Sequence, residues 1–242
     1  MLVSNESRSM NNELYTSGEY FEKHPSWHVE DSAWKAKNIL RMLQRRQLQP
    51  KTICEVGCGA GEILSQLHAQ LPEDVMFSGY EISPQAFELC QPRRQERLEF
   101  CLQDLLKEET HICFDLILCI DVFEHVEDYL AFLRDLRDKG QYKLFHIPLD
   151  LSVQTVWRCS PILKSRQGLG HIHYFTKELA LAALQDSGYT ILDHFYTGTR
   201  LDLPSKSLRV NLAKLPRRAL YALHQDLAVR ILGGFSLMVL TT

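Results

Sequence analysis

The sequence predicts an α/β protein whose core is a doubly wound, mostly parallel sheet. From residue 51 onward, short apolar segments alternate repeatedly with segments of helical pattern, an order typical of parallel strands joined by helices. The first apolar segment ends in a turn with glycines at alternate positions, Gly57, Gly59 and Gly61. A chain of 242 residues is long enough to bury a full core of this kind in one domain.

Seven strands are predicted from apolar runs that end at turn residues. The segment 114–120 is almost continuously apolar, as expected of a parallel strand that is covered on both faces. The predicted strands are 51–56, 75–81, 97–102, 114–120, 142–147, 189–196 and 235–240.

Helices are predicted at 33–47, 61–70, 84–95, 127–138 and from Thr176 to Ser187. Three of them have capping signals: Asp31 and Ser32 before the first, Ser83 before Pro84, and Thr176 before the last. Residues 148–175 are predicted to be largely irregular, and about 205–232 to be a helical insert.

Composition restricts the function and the compartment. A net charge of −3 gives no reason to expect a nucleic-acid partner. The first residues are polar, so no signal peptide is predicted. The seven cysteines contain no C-x-x-C pair, which favours reduced, mostly buried thiols. We therefore expect a cytoplasmic protein.

The glycine turn carries the most specific signal. Glycines let backbone approach a ligand closely, and the free N–H groups of the following helix point at that ligand. A dinucleotide-binding turn requires G-x-G-x-x-G, but its third glycine would fall on Glu62. The pattern is instead E-x-G-x-G-x-G, from Glu55 to Gly61, and it resembles motif I of the class I S-adenosylmethionine (SAM)-dependent methyltransferases.

Later segments extend that resemblance over roughly residues 35 to 196. Glu81 ends the second predicted strand, Asp104 follows the third, and a D-x-x-E-H-V segment starting at Asp121 follows the fourth. The stretch from Gly170 to Thr176 is similar to one in the ubiquinone-biosynthesis methyltransferases. The resemblance implies a Rossmann-like methyltransferase fold, with an N-terminal helical arm, a helical insert and a last strand antiparallel beside strand six. It also implies SAM as the cofactor.

The resemblance assigns cofactor contacts to individual residues. Glu55 would organise the glycine turn and the amino end of SAM, Glu81 would bind the ribose hydroxyls, and Asp104 would bind the adenine amino group. The glycines would let the backbone approach the cofactor closely. Apolar residues would pack against the adenine or lie at the end of the fourth strand, beside the cofactor. The predicted cofactor-binding residues are Glu55, Gly57, Gly59, Gly61, Glu81, Ile82, Asp104, Leu105 and Ile120.

The predicted catalytic residues are His125, Asp121 and His171. Methyl transfer needs the acceptor aligned and, where it keeps a proton, a base. His125 has a suitable ordinary pKa, but it could instead orient the next helix. His171 could act in catalysis, or cap the Thr176 helix and lock its loop. Asp121, Glu124 and His125 could also form a cation site, but three adjacent ligands do not define one, so we expect no metal.

The acceptor is expected to be a small molecule methylated at oxygen. Between Pro204 and Arg230, six lysine and arginine residues face one aspartate, a local charge of +5. This insert could contact an anionic membrane or an acidic substrate, or it could be a solvated face. Trp27 and His28 could form a lid or simply pack. The alternative function is a methyltransferase-like binding or partner subunit without independent catalysis.

One methyltransferase domain is predicted for residues 1–242. Residues 1–48 form the arm and its helix, 49–196 the cofactor-binding core, 197–234 the basic insert and 235–242 the last strand.

Overall fold

One sheet of seven strands crosses the structure, a computed structural model that describes residues 14–108, 113–202 and 208–242. The strand order is β3-β2-β1-β4-β5-β7-β6, and only β7 runs antiparallel to its neighbours. The predicted doubly wound, mostly parallel sheet is therefore confirmed. The strands are β1 Thr52–Val56, β2 Met76–Glu81, β3 Leu98–Leu102, β4 Phe114–Ile120, β5 Gly140–Leu149, β6 Ile191–Thr197 and β7 Phe235–Thr241.

The position of the central strand β4 explains why its sequence is almost continuously apolar. Its residues divide between two separate hydrophobic cores: Ile117 and Cys119 belong to one, and Leu116 and Leu118 to the other. Successive side chains of a strand point to opposite faces, so both faces of β4 are buried under helices. The carboxyl ends of β1, β2 and β4 consequently meet at one edge of the sheet, where open α/β sheets bind ligands.

The helices follow the predicted alternation, with shorter ends. Their bounds are α1 Glu19–Lys23, α2 Ser32–Arg46, α3 Glu62–His68, α4 Pro84–Cys90, α5 Tyr129–Arg137, α6 Val153–Arg158, α7 Ser160–Lys164, α8 Lys177–Asp186, α9 Thr199–Asp202, α10 Leu208–Leu223 and α11 Gln225–Leu232. The prediction that the helix at 84 continues to residue 95 was wrong, because it passes at Gln91 into a single 3₁₀ turn that contains Pro92. Proline lacks the N–H that an α-helix would use there.

Two of the three predicted helix caps are present. The hydroxyl of Ser83 accepts a hydrogen bond from the Ala86 amide, and the hydroxyl of Thr176 accepts one from the Leu179 amide. Asp31 precedes α2 as predicted, but its carboxylate caps no amide, and one of its oxygens lies 3.3 Å from Nζ of Lys35.

The segment after β5 was predicted to be irregular, and that prediction was wrong. It contains α6 and α7, followed by one π-helical turn over Ser165–Leu169. Ser152 and Thr155 form a reciprocal capping box at the start of α6, and Pro161 lies in the first turn of α7. Both features start helices that bury little of their surface.

The insert before β7 divides into separate helices. The first long helix, α10, ends at Leu223. The next residue, His224, caps α11, since its Nδ1 accepts a hydrogen bond from the Leu227 amide at 3.2 Å. Among the residues that the structure describes, no helix is both long and apolar enough to cross a membrane.

Candidate functional site

A cavity of about 430 Å³ opens at the carboxyl edge of the sheet. Its walls come from the ends of β1, β2, β4 and β5, from the segment after α7 and from the N-terminal arm. The predicted residues that line it are Glu55, Gly57, Gly59, Glu81, Ile82, Ile120, Asp121, His125 and His171. Gly61, Asp104 and Leu105 lie outside this lining.

The glycine turn is left-handed at each of its three glycines, with φ of 67° at Gly57, 57° at Gly59 and 75° at Gly61. A Cβ at Gly59 would lie 2.5 Å from Cδ1 of Trp27, on the cavity side. A Cβ at Gly61 would lie 2.5 Å from the buried ring of Phe100. Gly59 thus keeps backbone open to the cavity, whereas Gly61 is required by packing against the sheet.

Glu81 fastens this turn to the end of β2. Its carboxylate accepts hydrogen bonds from the amides of Gly59, Ile82 and Ser83, each at 2.8 Å. Burial raises the pKa of Glu81, although the three amides oppose that effect. A carboxylate offers roughly four acceptor positions, so about one is left for a ligand hydroxyl. Glu81 as a ribose ligand stays a prediction.

Glu55 lies beneath the turn at the end of β1. It is buried, its Oε2 has no hydrogen-bond partner among the described residues, and burial raises its pKa well above the usual range. A buried acceptor without a partner is costly unless a ligand supplies one. An ammonium group in the cavity would meet that need.

The predicted adenine contacts lie apart from the cavity lining. Asp104 accepts a hydrogen bond from the Leu106 amide at 3.1 Å and so caps the short turn after β3. Leu105 packs inside the hydrophobic core. Their role toward adenine stays a prediction.

Asp121 forms the centre of a charged network rather than projecting alone. It adopts a φ of 54° after β4, lies 2.9 Å from Nζ of Lys35, and accepts a 2.6 Å hydrogen bond from Nδ1 of His146. His146 contacts the Thr197 hydroxyl at 2.8 Å through its other nitrogen. Burial would raise the pKa of Asp121, but His146 and Lys35 hold it well below its usual range.

Lys35 and His146 are two residues of this network that the sequence pattern did not indicate. Lys35 lies four residues after Asp31 on a predicted helix, and His146 interrupts an otherwise apolar strand. Both were visible signals, but neither indicates which distant carboxylate is the partner.

Glu124, His125 and His171 form a second cluster beside this network. Each offers one ligand atom, and these atoms lie within 4.8 Å of one another. Both carboxylate oxygens of Glu124 are buried and have no hydrogen-bond partner among the described residues. Burial, and then the charge of Asp121, raise the pKa of Glu124 well above its usual value. The structure thus groups Glu124 and His125 with His171, whereas the sequence pattern grouped them with Asp121.

Hydrogen bonds place one proton on each of the two imidazoles, at Nδ1. Nδ1 of His125 lies 3.1 Å from the carbonyl of Gly170, and Nδ1 of His171 lies 2.6 Å from the carboxylate of Asp150. Because these oxygens can only accept, each Nδ1 carries a proton, and Nε2 is the nitrogen that can bind a metal when the ring is neutral. Nε2 of His125 lies 3.9 Å from Glu124. Imidazoles held in this way are typical metal ligands.

The role predicted for His171 as a helix cap was wrong, because Thr176 caps that helix. His171 instead contacts Asp150 and the Ser165 hydroxyl, which joins the segment after α7 to the end of β5.

The N-terminal arm forms part of the cavity wall. Trp27 rests against Gly59, and the hydroxyl of Tyr15 lies 2.9 Å from Nδ1 of His125. The hydroxyl of Tyr20 lies 3.0 Å from Nε2 of His28. These aromatic residues line the cavity, so the arm is part of the site.

Comparison with known proteins identifies the family. A family model described as "Methyltransferase domain" matches residues 27–194. The mitochondrial ubiquinone biosynthesis O-methyltransferase of Schizosaccharomyces pombe is 32% identical over 102 residues, which is 40% of this chain and 36% of that enzyme. The chain thus matches about a third of the length of that curated relative.

Solved structures share the whole fold. Magnesium protoporphyrin IX methyltransferase from Synechocystis PCC 6803, with bound S-adenosylhomocysteine (SAH), aligns with a TM-score of 0.62 at 16% identity, covering 96% of this chain and 97% of that chain. The N-methyltransferase NodS from Bradyrhizobium japonicum WM9, in complex with SAH, aligns with a TM-score of 0.54 at 16% identity, covering 86% and 84%. At such identity the structures show the fold alone, but the family model spans most of the chain, and the chain therefore belongs to the methyltransferase family.

Proposed function

We propose that this protein is a SAM-dependent methyltransferase that acts on a hydroxyl group of a small molecule. The observation that carries the proposal is a single cavity that is lined both by the glycine turn with Glu55 and Glu81 and by His125 and His171. Glu124 is buried outside this lining, with its ligand atom within 4.8 Å of those of the two histidines. The curated relative named above is an O-methyltransferase, and the structural neighbours named above are complexes with SAH.

The cofactor side of the cavity fits SAM by its chemistry. SAM carries an ammonium and a sulfonium charge, and the buried Glu55 and Glu81 lie at the ends of β1 and β2 on that side. Gly57 and Gly59 give access to backbone, and Ile82 adds an apolar wall. When bound, SAM supplies a methyl group that is already activated for displacement.

On the acceptor side, His125 is poorly suited to act as a base. Burial, and next the neighbouring His171, lower the pKa of His125 to about 4. An imidazole with so low a pKa removes a proton from a hydroxyl inefficiently at neutral pH. The same low pKa keeps the ring neutral, which is the state that a metal requires.

Glu124, His125 and His171 would together hold a divalent cation. The cluster offers two imidazoles and one buried carboxylate that has no hydrogen-bond partner within the described part of the chain, a set that suits zinc or a similar metal. Such a cation supplies Lewis acidity that lowers the pKa of an acceptor hydroxyl. The proposal departs from the expectation of no metal because the third ligand, His171, is distant in sequence.

The experiment measures conversion of SAM to SAH against pools of hydroxylated acceptors, with and without a chelator. The Glu124→Gln variant removes the charge at constant size, and Glu127→Gln, at an exposed neighbour, is the matched control. We expect Glu124→Gln and the chelator each to slow turnover at least about a hundredfold, since Lewis-acid stabilisation contributes several kcal/mol. SAM affinity should stay within a few-fold in both variants.

The outcomes separate the two halves of the proposal. Turnover that resists both the chelator and Glu124→Gln would contradict the divalent cation. SAM binding without turnover of any acceptor would support the alternative of a binding subunit.

A further inference from the structure

Large apolar side chains are concentrated on one side of the structure, on α6, α7, α10 and α11. Among the described residues, Trp157 is 88% exposed and Leu223 84% exposed, the two highest values for large hydrophobic residues. We name this surface the apolar face. Its members are Val153, Val156, Trp157, Leu163, Leu215, Leu223, Leu227 and Ile231.

We propose that the apolar face binds the surface of an anionic lipid bilayer. The first support is the regular spacing of its residues on each helix. Val153, Val156 and Trp157 are spaced i, i+3, i+4, so they share one side of α6. Leu227 and Ile231 are spaced by four, so they share one side of α11. These stripes point to solvent and not to the core, which is unusual for a folded domain.

The helices that carry the stripes are held together as one surface. α6 packs against α11 and against α7, and α10 packs against α11. The guanidinium of Arg217 donates to the carbonyls of Leu232 and Gly233 and reaches Gln154 Oε1 at 3.4 Å. The stripes on α6 and α11 are therefore carried by helices in direct contact.

Charge identifies the partner as an anionic surface. The chain has no aspartate or glutamate between Leu151 and Thr176, or between Leu203 and Gln225. In the first of these segments Arg158, Lys164 and Arg166 are exposed, and none forms an ion pair with a described residue. The whole chain nevertheless has a net charge of −3, so the rest of the surface is acidic.

The arginines of the insert contribute less than their number suggests. Arg218 donates to the carbonyl of Leu201 at 2.9 Å, and Arg230 donates to Glu178 at 2.5 Å. Arg217 is committed to the contacts between helices described above. The expectation of membrane or acidic-substrate contact through these basic residues is therefore replaced by contact through exposed apolar residues with a basic rim.

A second copy of the chain fits this face poorly. A symmetric dimer would bring Arg158, Lys164 and Arg166 of both copies together, and like charges at an interface are costly. A bilayer accepts Trp157 at the headgroup level and attracts basic residues to anionic lipids. Lipid therefore satisfies both the apolar and the charged parts of the surface.

The apolar face also borders the cavity. α7 continues into Leu169 and His171, and α11 continues into Gly234 and Phe235, all of which line the cavity. Attachment through this face would thus hold the cavity entrance close to the lipid surface.

The test is co-sedimentation of the full chain with vesicles, which needs neither SAM nor turnover and so stands apart from the proposed function. One set of vesicles is phosphatidylcholine alone, and the other contains about a third phosphatidylglycerol. We expect at least about tenfold stronger binding to the anionic vesicles, and loss of most of that preference in high salt. Binding no stronger to the anionic vesicles than to phosphatidylcholine would overturn the proposal.

Variants test whether the apolar face is responsible. Trp157→Glu and, separately, Leu223→Glu should each weaken vesicle binding at least about tenfold, which is 1.4 kcal/mol. Met76→Glu, at a half-exposed residue at the amino end of β2, should bind like the wild type. Circular dichroism checks that each variant is folded. Unchanged vesicle binding in both face variants would refute the assignment, as would a dimer in solution that these variants dissociate.

Discussion

Replacing Asp121 with asparagine tests how the structure holds the cavity edge. The carboxylate lies 2.9 Å from the ammonium of Lys35 and 2.6 Å from Nδ1 of His146, and its φ is 54°. Asparagine tolerates this left-handed conformation and keeps one acceptor oxygen, so the main loss is the negative charge. Lys35, whose side chain is 12% exposed, would then keep one ion-pair partner among the described residues, Asp31 at 3.3 Å.

The expected loss is large because the charges are mostly removed from water. Breaking a buried ion pair costs about 3–5 kcal/mol, and since Asp31 remains we expect about 3 kcal/mol. For a chain of this size 1 kcal/mol shifts Tm by roughly 2–4 °C, so Tm should fall by about 6–12 °C. Thermal unfolding followed by circular dichroism measures it.

The matched control is Asp193→Asn. Asp193 also forms a close ion pair, with Nε of Arg45 at 2.7 Å, but the Arg45 side chain is 50% exposed. Exposed pairs contribute about 0.2–1 kcal/mol, so Tm should fall by at most about 4 °C. If Asp121→Asn destabilises the protein no more than Asp193→Asn does, the network around Asp121 does not stabilise the fold as argued.

The stabilising effect of Asp121 should depend on pH. The pKa of Asp121 is lowered in the folded state, so its stabilising effect is fully present above the unfolded value of about 3.9 and is lost as pH falls below it. The free energies of unfolding of the wild type and Asp121→Asn should therefore converge below about pH 4. A difference that stays constant down to pH 3 would assign the effect to packing and not to charge.

Two further predictions concern the glycine turn. Gly61→Ala should lower the free energy of unfolding, measured in urea, by at least about 1–2 kcal/mol, because φ is 75° and the added Cβ would overlap the buried ring of Phe100. Gly168→Ala is the control and should be nearly neutral, because a Cβ at Gly168 would have no neighbour within 4 Å. Trp27→Ala should tighten SAH binding about tenfold in calorimetry, because the ligand would no longer have to displace the indole ring from Gly59. Trp157→Ala, the control, should leave the affinity for SAH unchanged. Equal affinities in the two variants would contradict this prediction.

The strands and the glycine turn could be predicted because their signals are local. β4 buries both faces and reads as an apolar run, and the turn from Gly57 to Gly61 has a specific spacing. The cluster of Glu124, His125 and His171 could not be predicted in full, since His171 comes close to Glu124 only through the folding of α6 and α7. Sequence spacing does not reveal which distant residues meet.

The two short helices were missed for a different reason. Periodicity predicts helices by assuming that the apolar side faces the core, and the apolar side of α6 faces solvent. The arginines of the insert illustrate the converse error. Arg217 and Arg218 look like a basic surface in the sequence, yet both donate to backbone carbonyls.

A single nitrogen joins two separate segments of the site. Nδ1 of His125 contacts both the carbonyl of Gly170 and the hydroxyl of Tyr15 in the N-terminal arm. If a ligand on the opposite side of that ring changes the free energy of the Tyr15 contact, thermodynamic reciprocity requires that docking of the arm change the affinity for that ligand by the same factor.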